Sequence, residues 1–154
     1  MRARHQAPAR HNRGVPGAQL FTIGYAGKTL ADFLAQLGAA GVTRVVDVRA
    51  LPLSRKKGFS KAALAEALAA AGIEYVHVRA AGNPFREIKD DTERCLALYA
   101  GHLDAHPEVI AEVEEAVTGC NAALLCYEAA AAECHRSVLA RRMVVARPRR
   151  VEDL

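Results

Sequence analysis

The segment Ala122-Ala123-Leu124-Leu125-Cys126-Tyr127-Glu128, followed after five residues by Cys134-His135-Arg136-Ser137, decides the fold. Ala122 to Tyr127 is apolar on both faces, which reads as a strand covered on both sides. A helix follows over about 133–144. Two thiols, an imidazole, a guanidinium and a carboxylate fall within eleven positions of this strand-to-helix turn. Helix N-termini present free N–H groups and a positive dipole end, which favour anions and thiolates. The segment that sets the architecture therefore also marks a candidate site.

Working outward, strand and helix signals alternate. Leu20 to Ile23 reads as a strand ending at Gly24. Thr29 caps a helix, with Asp32 at its third position, an apolar stripe of Leu30, Phe33, Leu34 and Leu37, and Gly41 as its stop. Arg44 to Val48 is a second strand. Ser60 caps a helix that runs to Ala71, with Phe59 and Leu64 placed as a hydrophobic staple and Gly72 as the stop. Ile73 to Val78 is a third strand, and 79–91 is irregular around Gly82-Asn83-Pro84, a turn that also offers a lid. Helices follow over 92–103 and 107–118, the second opening with Pro107. A fifth strand falls either at Met143–Ala146 or within Arg150–Leu154. The order β-α-β-α-β-α-α-β-α predicts an α/β three-layer domain over 19–154, with a mainly parallel sheet of four or five strands and helices on both faces.

Ligands of such sheets bind beyond the carboxyl ends of the strands. Here those ends carry Gly24-Tyr25, Asp47-Val48-Arg49, Tyr75-Val76-His77 and Cys126-Tyr127-Glu128, so four polar ends converge on one edge.

Composition limits the function classes. No apolar run approaches the ~20 residues of a membrane span, and residues 1–19 lack the apolar core of a secretory signal. A cytoplasmic protein is expected, with Cys95, Cys120, Cys126 and Cys134 unpaired by any CxxC spacing. The net charge of +4 resides in the leader. Without Arg2, Arg4, Arg10 and Arg13, basic and acidic residues balance at 17 each. Residues 1–18, with Pro8, Gly14 and Pro16 and no periodicity, are expected to be a disordered basic leader, which offers a contact to nucleic acid. Arg141, Arg142, Arg147, Arg149 and Arg150 form a second basic cluster, attributed to helix-dipole compensation and solubility.

Within the edge, Asp47 and Arg49 are two apart and share a face of their strand. They read as a fixed carboxylate and an anion-holding guanidinium, or as an ion pair closing a strand. Ser54-Arg55-Lys56-Lys57 is a cationic loop. His77 is an acid/base candidate at a strand end. Cys134, at a helix start beside His135 and Arg136, has the surroundings that make a thiolate reactive, whereas Cys126 has the default of a buried thiol. A zinc reading would take Cys126, Cys134, His135 and His77, but the Cys126–Cys134 gap is unlike the tight spacings of structural zinc sites. No metal and no cofactor are expected.

The ordered set Thr22-Ile23-Gly24-Tyr25, Asp47-Val48-Arg49 with Pro52, Ser54-Arg55 and Phe59, Gly72-Ile73-Glu74-Tyr75 with His77, and Cys126-x-Glu128-x5-Cys134-His135-Arg136 resembles the bacterial and archaeal domain-of-unknown-function family 488. The resemblance spans nearly everything after the leader and implies no established activity. Ala26, Ala81 and Ala130 depart from the Ser, Leu and Asp common in that family. The chain is also similar in topology to rhodanese and Cdc25-type phosphatase domains, an analogy of layout alone.

The expectation is an enzyme acting on an anionic or phosphate-bearing small molecule. Cys134 is its nucleophilic or redox thiol, with Cys126 as partner and His77 or His135 as acid/base. Arg49, Arg55 and Arg136, with Tyr25, hold the anion, oriented by Asp47 and Glu128. The alternative is a non-catalytic nucleic-acid or nucleotide-binding module that uses the same basic edge and the leader.

Overall fold

Successive residues of each strand pack against opposite helix layers, as a two-residue side-chain period requires. Val45, Leu125 and Ile23 join Phe33 and Leu37 on one face, while Val46, Leu124 and Leu20 join Leu103, Val113 and Leu139 on the other. The computed structural model describes residues 18–154, so the expectations for the leader lie outside the described residues apart from Ala18.

The elements are β1 (Leu20–Gly24), α1 (Leu30–Ala39), β2 (Arg44–Asp47), α2 (Lys61–Ala70) and β3 (Glu74–His77). They continue with α3 (Thr92–Ala105), α4 (Pro107–Val117), β4 (Ala122–Cys126), α5 (His135–Ala146) and β5 (Val151–Asp153). Single 3₁₀ turns occupy Arg79–Ala81 and Ala131–Glu133. The sheet has five parallel strands in the order β3-β2-β4-β1-β5. The fifth strand is the later of the two alternatives, because α5 runs through Met143–Ala146. Among the described residues, no helix is long and apolar enough to cross a membrane.

Local chemistry explains the boundaries. Thr29 Oγ1 accepts from Asp32 N at 3.1 Å and opens α1. Gly41 closes it at φ +71°, a conformation other residues rarely adopt. Ser60 precedes α2, but its hydroxyl donates to the Ser54 carbonyl and accepts from Ser54 N–H, so it ties down the 54–60 loop rather than capping the helix. In the C-terminal basic cluster, Arg142 pairs with Asp104 of α3 and Arg149 with Glu114 of α4. Arg142 thus ties α5 to α3, and Arg149 ties the connection to β5 onto α4, rather than serving only solubility.

The strand order places the site. The path β1-β2-β3 moves one way across the sheet, and β3-β4-β5 moves back. Right-handed crossovers therefore put α1 and α2 on one face and α3, α4 and α5 on the other. The connection leaving β4 departs to the opposite face from those leaving its neighbours β2 and β1. That divergence opens a crevice at the carboxyl end of β4.

Candidate functional site at the carboxyl end of β4

An open cleft of about 610 Å³ occupies that crevice. Tyr25 after β1, Arg49 after β2, and Cys126 and Glu128 at the end of β4 line it, and His135 enters from the first turn of α5. Exposed Arg55, Arg86 and Lys89 stand on its walls.

Two hydrogen-bonded groups build the floor. In the first, Asp47 is fully buried and takes a bidentate pair from Arg49, with Nε at 2.9 Å from Oδ1 and a terminal nitrogen at 2.7 Å from Oδ2. Tyr75 Oη donates to the same carboxylate at 2.6 Å. Arg49 also donates to the Phe59 carbonyl at 2.7 Å and to Tyr25 Oη at 3.2 Å. Burial alone works against the Arg49 charge, but the Asp47 carboxylate outweighs it and holds the guanidinium protonated. Each member of the pair satisfies the other, as buried charges require.

The second group is Cys126, Cys134, His135 and Glu128. His135 Nε2 lies 3.0 Å from the Val48 carbonyl, which can only accept, so Nε2 carries a hydrogen and in the neutral ring Nδ1 presents a lone pair. Nδ1 is 3.4 Å from Cys126 Sγ and 3.8 Å from Cys134 Sγ. Cys126 Sγ lies 3.4 Å from Glu128 Oε2. Tyr99 packs edge-on against the imidazole at 5.1 Å between centroids. Burial opposes charging His135, yet the Cys134 sulfur, the Val48 carbonyl and the Glu128 carboxylate together raise its pKa above the ordinary imidazole value.

The thiols occupy different positions from those expected. Cys134 is 1 % exposed, does not line the cleft, and burial pushes its thiol up rather than down. Its Sγ instead caps α5, accepting from Arg136 N–H at 3.5 Å. Of the two thiols at the β4–α5 turn, Cys126 is the one that lines the cleft. Helix-start position correctly placed Cys134 at an N-terminus but did not reveal that the sulfur turns inward.

Arg136 is likewise turned from the cleft. It is fully buried, and its guanidinium donates to Thr22 Oγ1 and to the carbonyls of Glu128 and Ala129. With its donors on the protein's own oxygens, it anchors the loop carrying Glu128 instead of facing an anion. Asp47 and His77 are register partners at the same end of the sheet. Neither lines the cleft: Asp47 lies behind Arg49, and His77 Nε2 donates to the Arg49 carbonyl at 2.8 Å.

Sequence reasoning passed over Arg86 and Lys89, which sit in the irregular 79–91 segment and showed no spacing signal. It treated Asn83 as turn chemistry first and as part of a lid second. Asn83 is buried, accepts from Phe85 N–H, and donates to Cys95 Sγ at 3.2 Å, which pins that wall. The distance between Cys126 and Cys134 in sequence had argued against a closed Cys/His set, yet the donor atoms of Cys126, Cys134 and His135 lie within 4.8 Å of one another.

A family model described as Domain of unknown function DUF488 matches residues 29–143, a span that takes in every one of these groups except Tyr25 and Thr22. No curated protein and no solved structure matches the chain.

Proposed function

The chain belongs to the DUF488 family, and from its cleft we propose that it is an enzyme acting on an anionic, phosphate-bearing small molecule. One observation carries the reading: Cys126, His135 and Glu128 stand together on the floor of a cleft whose walls bear Arg55, Arg86 and Lys89. Exposed guanidinium and ammonium groups hold an anion at little cost, since Arg86 has only a loose, solvent-exposed contact to Glu87 at 4.0 Å to exchange. The floor supplies a thiol, an imidazole with a defined tautomer and a carboxylate, three groups able to move a proton at one point. Arg49, Asp47, Tyr75 and Arg136 act as positioning residues that hold this floor in shape. The rival reading, a nucleic-acid or nucleotide-binding module, draws on the same basic edge and on a leader outside the described residues; the thiol, imidazole and carboxylate gathered on the floor favour the enzyme.

The test has two arms on the full chain. Thermal unfolding is followed with inorganic phosphate, pyrophosphate and a nucleoside triphosphate at millimolar concentration. At least one should raise Tm, and Arg55→Ala should weaken that ligand roughly tenfold, the size of one charge-assisted hydrogen bond. No shift with any of the three removes the anion reading. In metal-stripped, reduced protein, iodoacetamide should label Cys126 ahead of Cys134. The reverse order would return the reacting thiol to Cys134.

A further inference from the structure

The donor geometry of the second floor group goes beyond proton transfer. We propose that Cys126, Cys134 and His135 hold one soft divalent cation of the zinc type, with a fourth coordination position open to the cleft beside Glu128. This rests on reading the cleft floor as the reaction centre, and it names what that centre carries.

Distances carry the argument. Zinc–sulfur bonds of about 2.3 Å and a zinc–nitrogen bond of about 2.0 Å at tetrahedral angles give an S···N edge of roughly 3.5 Å and an S···S edge of roughly 3.8 Å. The two observed S···N separations are 3.4 and 3.8 Å, and all three donor atoms lie within 4.8 Å of one another. The S···N edges are within a few tenths of an ångström of those a cation needs, and rotation of the two cysteine side chains by about 1 Å at most brings the sulfurs to their edge.

The surroundings of each donor agree. His135 Nε2–H donates to the Val48 carbonyl at 3.0 Å, leaving the Nδ1 lone pair aimed at both sulfurs. Metal-bound histidines are fixed in this way, with the second ring nitrogen on a carbonyl or carboxylate. Cys134 Sγ accepts the Arg136 backbone N–H at the start of α5, a contact that favours thiolate. Two thiolates and a dication sum to a neutral centre, which suits burial where an unpaired charge would not. On binding, the Cys126 and Cys134 protons leave to solvent.

Three protein donors with an open position are the arrangement of a catalytic rather than a closed structural zinc. Cys126, His135 and Glu128 line the cleft and Cys134 does not, so the open position faces the cleft. It would take a water or an oxygen of the anionic ligand, and Glu128 is placed to accept a proton from that water.

The experiment titrates the reduced, metal-stripped full chain with Co²⁺, followed by displacement with Zn²⁺. About one equivalent should bind, with a thiolate-to-cobalt charge-transfer band and tetrahedral d–d bands. Those bands should be absent in Cys134→Ser, where serine still caps α5, and unchanged in Cys120→Ser. In the unmutated chain, Zn²⁺ should shield Cys126 and Cys134 from iodoacetamide while Cys95 and Cys120 keep their rates, a readout that requires no variant. Absence of the charge-transfer band, its survival in Cys134→Ser, or alkylation indifferent to Zn²⁺ overturns the proposal. Phosphate binding by the metal-stripped chain is scored separately. Its loss with Zn²⁺ binding intact refutes only the anion reading, and the converse refutes only the metal.

Discussion

Gly24 has no space for a side chain: a Cβ there would stand 1.7 Å from the Glu128 carbonyl oxygen. The obstruction is backbone, so no rotamer relieves it, and the loop from β4 would have to lift. Gly24→Ala is expected to cost roughly 1–3 kcal/mol, the range for inserting a methyl group into a filled site, and to displace Glu128 from Cys126. Urea unfolding of both proteins measures it, and an unchanged midpoint would show that the loop does not seat against β1. The sequence presents Gly24 only as a strand stop, since the obstructing atom is 104 positions away. The same limit applies to the thiols. A helix start beside His135 and Arg136 suggested an activated Cys134, but sulfur direction depends on how α5 meets β4. That docking puts Cys126 on the cleft and Cys134 behind it.

Among the elements, β5 is the shortest strand, yet it protects the outer edge of β1. Leu154 N–H donates to the Thr22 carbonyl at 2.8 Å, and Thr22 Oγ1 donates to Asp153 at 2.5 Å while accepting from buried Arg136. Asp153 thus reaches the Arg136 guanidinium through one hydroxyl. Deleting residues 148–154 should lower the unfolding midpoint and cause concentration-dependent association, because β1 would expose unpaired backbone groups. Asp153→Ala should do less, since Arg136 keeps its two carbonyl partners. Light scattering and urea unfolding distinguish the two effects. A truncated chain that remains monomeric and equally stable would deny β5 this role. Neither the strand's position nor its function was settled by sequence, because three residues with one apolar side chain carry too little pattern.

At the scale of the molecule, the buried phenol of Tyr99 and the half-buried phenol of Tyr75 set an alkaline limit. Tyr99 Oη donates to the Ala81 carbonyl at 2.7 Å, and burial raises its pKa, as do burial and then Asp47 for Tyr75. Only the neutral phenol donates, so the folded state retains protons that the unfolded chain releases near pH 10. The contribution of the two phenols should be full below that value and fall as pH rises through it toward the higher folded values, by at most about 1.4 kcal/mol per pH unit for each proton. Cys134, raised by the same burial, extends the loss downward toward pH 9. Urea midpoints from pH 8 to 11 should decline, and Tyr99→Phe should flatten the slope. An undiminished slope in that variant would place the titrating groups elsewhere. By itself the sequence determined the alternation of strands and helices, the stops at Gly41 and Gly72, the cap at Thr29, and the gathering of polar strand ends on one edge. These follow from periodicity and from backbone preferences acting over a few residues. Only the tertiary structure decided that Arg136 serves the protein's own carbonyls, that Asp47 and His77 stand behind the cleft, and that Cys126, Cys134 and His135 converge. Each of those outcomes depends on contacts between residues far apart in the chain, such as His135 with Val48 across 87 positions. The packing of one layer on another sets such contacts, and no local pattern encodes them.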